Sequence, residues 1–223
     1  MEEAAQTEQS ESFNRIKKMA AVDNVEYREV QPLKEKLKET EIIERVGGGD
    51  MTNGSCSSLA FAYVGNKGGL DVLDFRGGSS QYLFSSNLTI AEIAQLNGVK
   101  GIVSKEYDAI KDATRLLNEM ENDKEYYLAV GAHAAIVKRD SDGLKYLELQ
   151  SAIKNGFELF GKNTLRNRFG AKKSSTIRGT KLKQTTVLID TDTLCESAEF
   201  RELLGYINTA ETTQKKGVKG FAK

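Results

Sequence analysis

"TNGSCSSLAFAYVGNKGGLDVLDFRGG", residues 52–78, holds Cys56, one of two cysteines in the chain, between a turn-like Thr52-Asn53-Gly54-Ser55 and an apolar run. Leu59, Ala62 and Tyr63 recur at helical spacing until Gly65, Gly68 and Gly69 stop the pattern, which predicts a helix opened by Cys56. A cysteine at a helix start feels the positive end of the macrodipole, which favours its thiolate. Free cysteine is also among the most often buried residue types, acting as a small hydrophobe. Cys56 is therefore either a nucleophile or a packing residue, and the rest of the chain has to decide.

The chain has 223 residues, 39% of them hydrophobic and 29% charged, which suits one medium-sized globular domain with an appendage. No apolar run approaches the roughly 20 residues needed to cross a bilayer, so no membrane partner is expected. The acidic, polar start carries neither a signal-peptide nor a lipidation pattern, so a cytoplasmic location is expected. Cys56 and Cys195 make no disulfide framework. One histidine and two scattered cysteines give no metal-ligand cluster, and neither a metal nor another cofactor is expected.

A net charge of zero hides a polarised chain. Residues 1–49 carry 11 acids against 8 bases, whereas residues 154–183 carry 9 bases against Glu158 alone. Lys162, Arg166, Arg168, Lys172 and Lys173 are the residues of that stretch expected to face an anionic partner; a solvated basic face is the plainer alternative.

The order of elements predicts an α+β fold. A polar, flexible start leads to a helix over "PLKEKLKETEIIERV", and "GGGD" ends it. "LDVLDF" is expected as a strand, Thr89 with Glu92 as a capping box, and Ile110, Ala113, Leu117 and Met120 as the apolar stripe of a longer helix. "YYLAVGAHAAIVKR" and "LKYLELQ" are strand-like runs joined by Asp140-Ser141-Asp142-Gly143, a hairpin signal. A basic helix and loop, a strand "QTTVLID", a helix around "SAEFRELLGYI" and a lysine-rich tail complete the chain. The expected division is a polar, helical N-terminal segment at 1–46, mobile or partner-bound, a domain at 47–210 and a basic tail at 211–223. Cys195 is expected to be structural, and Asp190 with Asp192 to mark a strand end and a helix cap.

Side chains alternate along a strand, so His133, Ala135 and Val137 share one face, and Tyr146, Glu148 and Gln150 share one on the partner strand. Where those faces coincide, Glu148 or Gln150 lies beside the His133 imidazole. A cysteine nucleophile needs a base to form its thiolate, and the base needs a third group to orient it. Cys56, His133 and Glu148 or Gln150 have the residue types for these roles. Backbone amides near Cys56, with the Asn53 side chain, would supply an oxyanion hole.

The order of Cys, His on a strand, a turn, then an acid or amide on the next strand is that of papain-like enzymes. "SCSSLAFAYVGNKGGLDV" resembles the opening of the papain-fold toxin group of bacterial polymorphic toxins and phage head-associated proteins, with Cys56, Ala62, Tyr63, Gly69, Asp71 and Val72 in corresponding places. "GAHAAIVKRDSDGLKYLELQS" is similar to that group's His strand, turn and Leu-Asp-x-Gln strand. This chain has Ser55 where the group has an adjacent Asn, and Glu148 where it has Asp.

The resemblance spans residues 47 to about 152. It implies a papain-like fold in which a helix opened by Cys56 packs on an antiparallel sheet carrying His133. It also implies Cys56 as nucleophile, His133 as base, Glu148 as acid, and Asn53, Ser55 and Gln150 around the substrate and oxyanion. The activity implied is amide hydrolysis, as a peptidase or a protein glutamine deamidase. A host or bacterial protein would be the substrate, and a phage head or cognate immunity protein a partner. Two other functions stay open: a non-catalytic, virion-associated binding protein on the same scaffold, and a nucleic-acid-binding module built on the basic stretch.

Overall fold

The structure is a computed structural model that describes residues 8–47, 55–72, 78–151 and 153–207. Among them the helices are α1 (Glu11–Val22), α2 (Glu39–Val46), α3 (Cys56–Lys67), α4 (Gly78–Ser85), α5 (Asn87–Ile93), α6 (Ala109–Asn118), α7 (Thr164–Asn167), α8 (Thr191–Glu196) and α9 (Ala198–Leu203). The strands are β1 (Gly101–Glu106), β2 (Glu125–Val130), β3 (His133–Asp140), β4 (Gly143–Glu148), β5 (Gly156–Leu159), β6 (Ser175–Ile177), β7 (Thr180–Leu182) and β8 (Gln184–Asp190). Six strands form an antiparallel sheet in the order β1-β8-β2-β3-β4-β5, and β6 pairs with β7 as a separate hairpin. The fold is α+β.

Period-two alternation divides the sheet between two cores. Tyr127, Ala129, Ala134, Ile136, Val187 and Ile189 face one, packed on α3. Tyr126, Leu128, Val130, Ala135, Val137 and Leu188 face the other, under Ala113, Leu116 and Leu117 of α6 and Leu165 of α7. Every residue of α3 from Ser57 to Asn66 is buried, because α2, α4 and α8 surround it and β3 floors it. Such a helix is buried all round instead of along one stripe. Phe61 fixes its seat, stacking on Tyr127 at 4.5 Å and meeting Phe84 and Phe200 edge-on at 6.0 and 5.5 Å.

Residue 47 is not a packing boundary. The start expected to be flexible holds α1, whose N-cap Ser10 accepts from the Phe13 amide at 3.1 Å. Phe13, Ile16 and Ala20 are fully buried in the core that holds α3, so α1 belongs to the body and is not an appendage. The helix expected over "PLKEKLKETEIIERV" begins only at Glu39; upstream of it Pro32 bridges Leu70 and the Leu33 amide donates to the Gly69 carbonyl. Of the strand expected over "LDVLDF", Leu70 keeps that single bridge and residues 73–75 lie outside the described residues. Thr89 sits inside α5, where Ser86 is the cap position. The run "YYLAVGAHAAIVKR" is two strands, broken at Gly131-Ala132, and β1 and β5 extend the sheet where no strand is expected. The basic tail at 211–223 lies outside the described residues.

Candidate active site

The β3–β4 ladder runs from Asp140 opposite Gly143 to Val137 opposite Tyr146 and ends there. Beyond it β3 stays paired with β2 and β4 with β5, so the two strands part. The first turn of α3 enters the gap. Cys56, His133, Ala134, Leu147, Glu148 and Gln150 line the resulting cavity, whose free space of about 10 Å³ is at the lower limit for holding one water. Val137 and Tyr146 pack in the same core, so the two faces expected to coincide do so, and His133 and Glu148 lie on one side of the sheet.

Burial pushes the Cys56 thiol up, against the backbone amides of Ala134 and Ser57 and the Arg168 charge, which favour the thiolate. The macrodipole argument expects a lowered thiol; desolvation by the segments of β3 and β4 packed around the start of α3 outweighs it here. Burial, with Arg168 adding to it and Glu148 opposing, lowers His133 to about 4. Its ring meets Phe169 edge-on, centroids 5.1 Å apart, and makes no side-chain hydrogen bond among the described residues. The resting pair at neutral pH is thus a thiol and a neutral imidazole.

Glu148 is buried, which alone would raise its carboxyl, but Arg168 holds it below the usual range. Arg168 Nε and Nη2 donate to its two oxygens at 2.6 and 2.8 Å, and the Gln150 amide donates to Oε1 at 2.8 Å. Gln150 Nε2 donates to the Oγ of Ser55, which is fully buried at the head of α3. Asn53 lies outside the described residues.

Arg168 therefore does not belong with the anionic-partner face: it turns inward, drawn by a buried carboxylate. Lys162, Arg166, Lys172 and Lys173 are exposed and form no ion pair among the described residues. Asp71 pairs with Arg45. Cys195 Sγ donates to the Val64 carbonyl at 3.3 Å, and burial pushes that thiol up to about 11. Asp190 caps α8, accepting from the Asp192 and Thr193 amides. Among the described residues no cluster of His, Cys, Asp and Glu could hold a metal, and no helix is long and apolar enough to cross a membrane.

The displaced histidine titration has a consequence for stability. Between about 6.5, its unfolded value, and about 4, its folded one, the unfolded chain binds the extra proton. This contribution is whole above pH 6.5 and is lost as pH falls toward 4. The denaturation midpoint is expected to drop over that window, and His133→Gln to flatten the drop; equal slopes in urea titrations of the two proteins at pH 7, 6, 5 and 4.5 would show that the imidazole is not shifted.

No family model matches the chain, and neither a curated protein nor a solved structure matches it.

Proposed function

We propose that this chain is a papain-like cysteine hydrolase that cleaves an amide, as a peptidase or a protein glutamine deamidase. The observation that carries the reading is the parting of β3 from β4, which brings the first residue of a buried helix and the first residue of a strand, Cys56 and His133, into one cavity. His133 takes the Sγ proton as sulfur attacks the carbonyl carbon, so the imidazole works as a general base on a neutral thiol. The tetrahedral oxyanion is met by amides of the α3 first turn. Its collapse breaks the C–N bond, and His133 gives its proton to the leaving amine or ammonia. Water, deprotonated by His133, then attacks the thioester, releasing the acid and the thiol. A host or bacterial protein substrate, and a phage-head or immunity partner, follow from the likeness to papain-fold toxin proteins.

Iodoacetamide labelling across pH, read by peptide mass spectrometry, tests the pair, with Cys195 as internal control. At pH 7 Cys56 is expected to react faster than Cys195, and His133→Ala to slow it by about tenfold or more, since base assistance is worth roughly 10²–10⁴. Because the thiol is raised, the rate should climb with pH and show no thiolate plateau below pH 7. A Cys56 rate indifferent to His133→Ala would remove the base and leave a second reading. That reading is a non-catalytic, virion-associated binding protein on the same scaffold, favoured by the raised thiol and by the engagement of Glu148 with Arg168. Lys162, Arg166, Lys172 and Lys173, exposed and without an ion pair among the described residues, favour a nucleic-acid-binding module as the remaining alternative, whose signature is affinity that falls steeply with salt.

A further inference from the structure

Glu148 stands where an orienting acid for His133 is expected, yet its carboxylate is held elsewhere. The guanidinium fork of Arg168 takes both oxygens, and the Gln150 amide adds a third donor. A two-point fork fixes a carboxylate in plane as well as in place. Arg168 is followed by Phe169, the ring that walls His133. The two arrive together because the segment after α7 is anchored: the Ala132 amide donates to the Phe169 carbonyl at 2.8 Å, and the Ala171 amide to that of Leu165 at 2.9 Å. One short segment thus occupies the acid and covers the base.

We propose that Arg168 is a positioning residue that withholds Glu148 from His133 and so keeps the Cys56–His133 pair in its uncharged form. The consequence for turnover rests on the hydrolase reading; the consequence for ionisation does not. Among the described residues, the titratable and charged groups that face the imidazole are Cys56 from α3, Glu148 from β4 and Arg168 from the end of α7. The Arg168 cation acts against an imidazolium directly, and its fork denies the ring a hydrogen bond to Glu148, whose charge still pulls the other way through space. Loss of the guanidinium reverses both, removing the cation and freeing Glu148 to accept the imidazole N–H. Lysine keeps the charge and loses the fork.

His133 is the only histidine in the chain, so its ring resonances titrate without overlap in the full-length protein. Relative to wild type, the Arg168→Gln midpoint is expected to rise by about one pH unit or more, the range that a neighbouring carboxylate supplies. Arg168→Lys should give a smaller rise. In Arg168→Gln/Glu148→Gln most of the rise should vanish, because it needs the released carboxylate. An unmoved midpoint in Arg168→Gln overturns the proposal, and so does an equal rise in the double variant, which would reduce Arg168 to a nearby charge. Should Arg168→Gln fail to fold, Arg168→Lys against Arg168→Lys/Glu148→Gln asks the same question. The titration needs no turnover, so a chain without hydrolase activity can still show the rise, and an active one can lack it.

Discussion

Cys56→Ala is expected to lower amide hydrolysis by roughly 10⁴-fold or more, since removing a covalent nucleophile leaves only the residual effect of binding and oxyanion donors. Cys56→Ser should do nearly as badly. A serine hydroxyl holds its proton far more tightly than a thiol, and His133, lowered to about 4, is a weak base for it. His133→Ala belongs to the same unit, so the double variant should lose little beyond either single change. The fold should tolerate both substitutions at position 56, because Cys56 is only partly buried and contributes no side-chain cap to α3. The assay is single-turnover release of amine or ammonia from peptide and glutaminyl-peptide pools, alongside the unfolding midpoint of each variant. Cys56→Ala retaining activity within tenfold of wild type would sink the hydrolase reading, and with it the role given to His133.

Local periodicity and turn chemistry made part of this molecule readable. The α3 helix follows from Leu59, Ala62 and Tyr63, the α6 stripe from Ile110, Ala113 and Leu117, with Met120 packed in the same core just past the helix end, and the β3–β4 hairpin from Asp142-Gly143. What stayed hidden depends on distant partners. The polar composition around α1 conceals Phe13, Ile16 and Ala20, whose spacing has meaning only once a core exists to receive them. Cys56, His133 and Glu148 can be picked out by residue type, but the cleft that gathers them is made where β3 leaves β4, and pairing loss leaves no local mark. Arg168 reads as one more cation in a basic run; its inward turn is decided by a buried carboxylate twenty residues earlier in the chain. The sign of the Cys56 shift is hidden for a similar reason. The helix start can be read along the chain, whereas the desolvation that outweighs it comes from parts of β3 and β4 that are distant in sequence.

Gly131→Ala is expected to destabilise the protein by about 2–4 kcal/mol, the sum of left-handed backbone strain and a steric clash with backbone. Gly131 turns β2 into β3 with φ of 65°, two residues before His133, and no polar turn residue announces it within an apolar run. A Cβ there would meet the Phe169 carbonyl oxygen at 2.5 Å, the Gly170 carbonyl carbon at 2.7 Å and the Ala171 nitrogen at 2.8 Å. Those atoms are main chain and cannot swing aside, so segment 169–171 must shift and the Ala132–Phe169 hydrogen bond must stretch or break. Arg168 and Phe169 would move with it, loosening the fork on Glu148 and the ring against His133. Gly98 is the control: its φ is 76°, yet a Cβ there meets nothing within 4 Å. Gly98→Ala should therefore cost the strain alone, about 1 kcal/mol. Urea titrations of both variants separate the two contributions, and equal losses would mean that the 169–171 segment yields freely and is no rigid wall for the site.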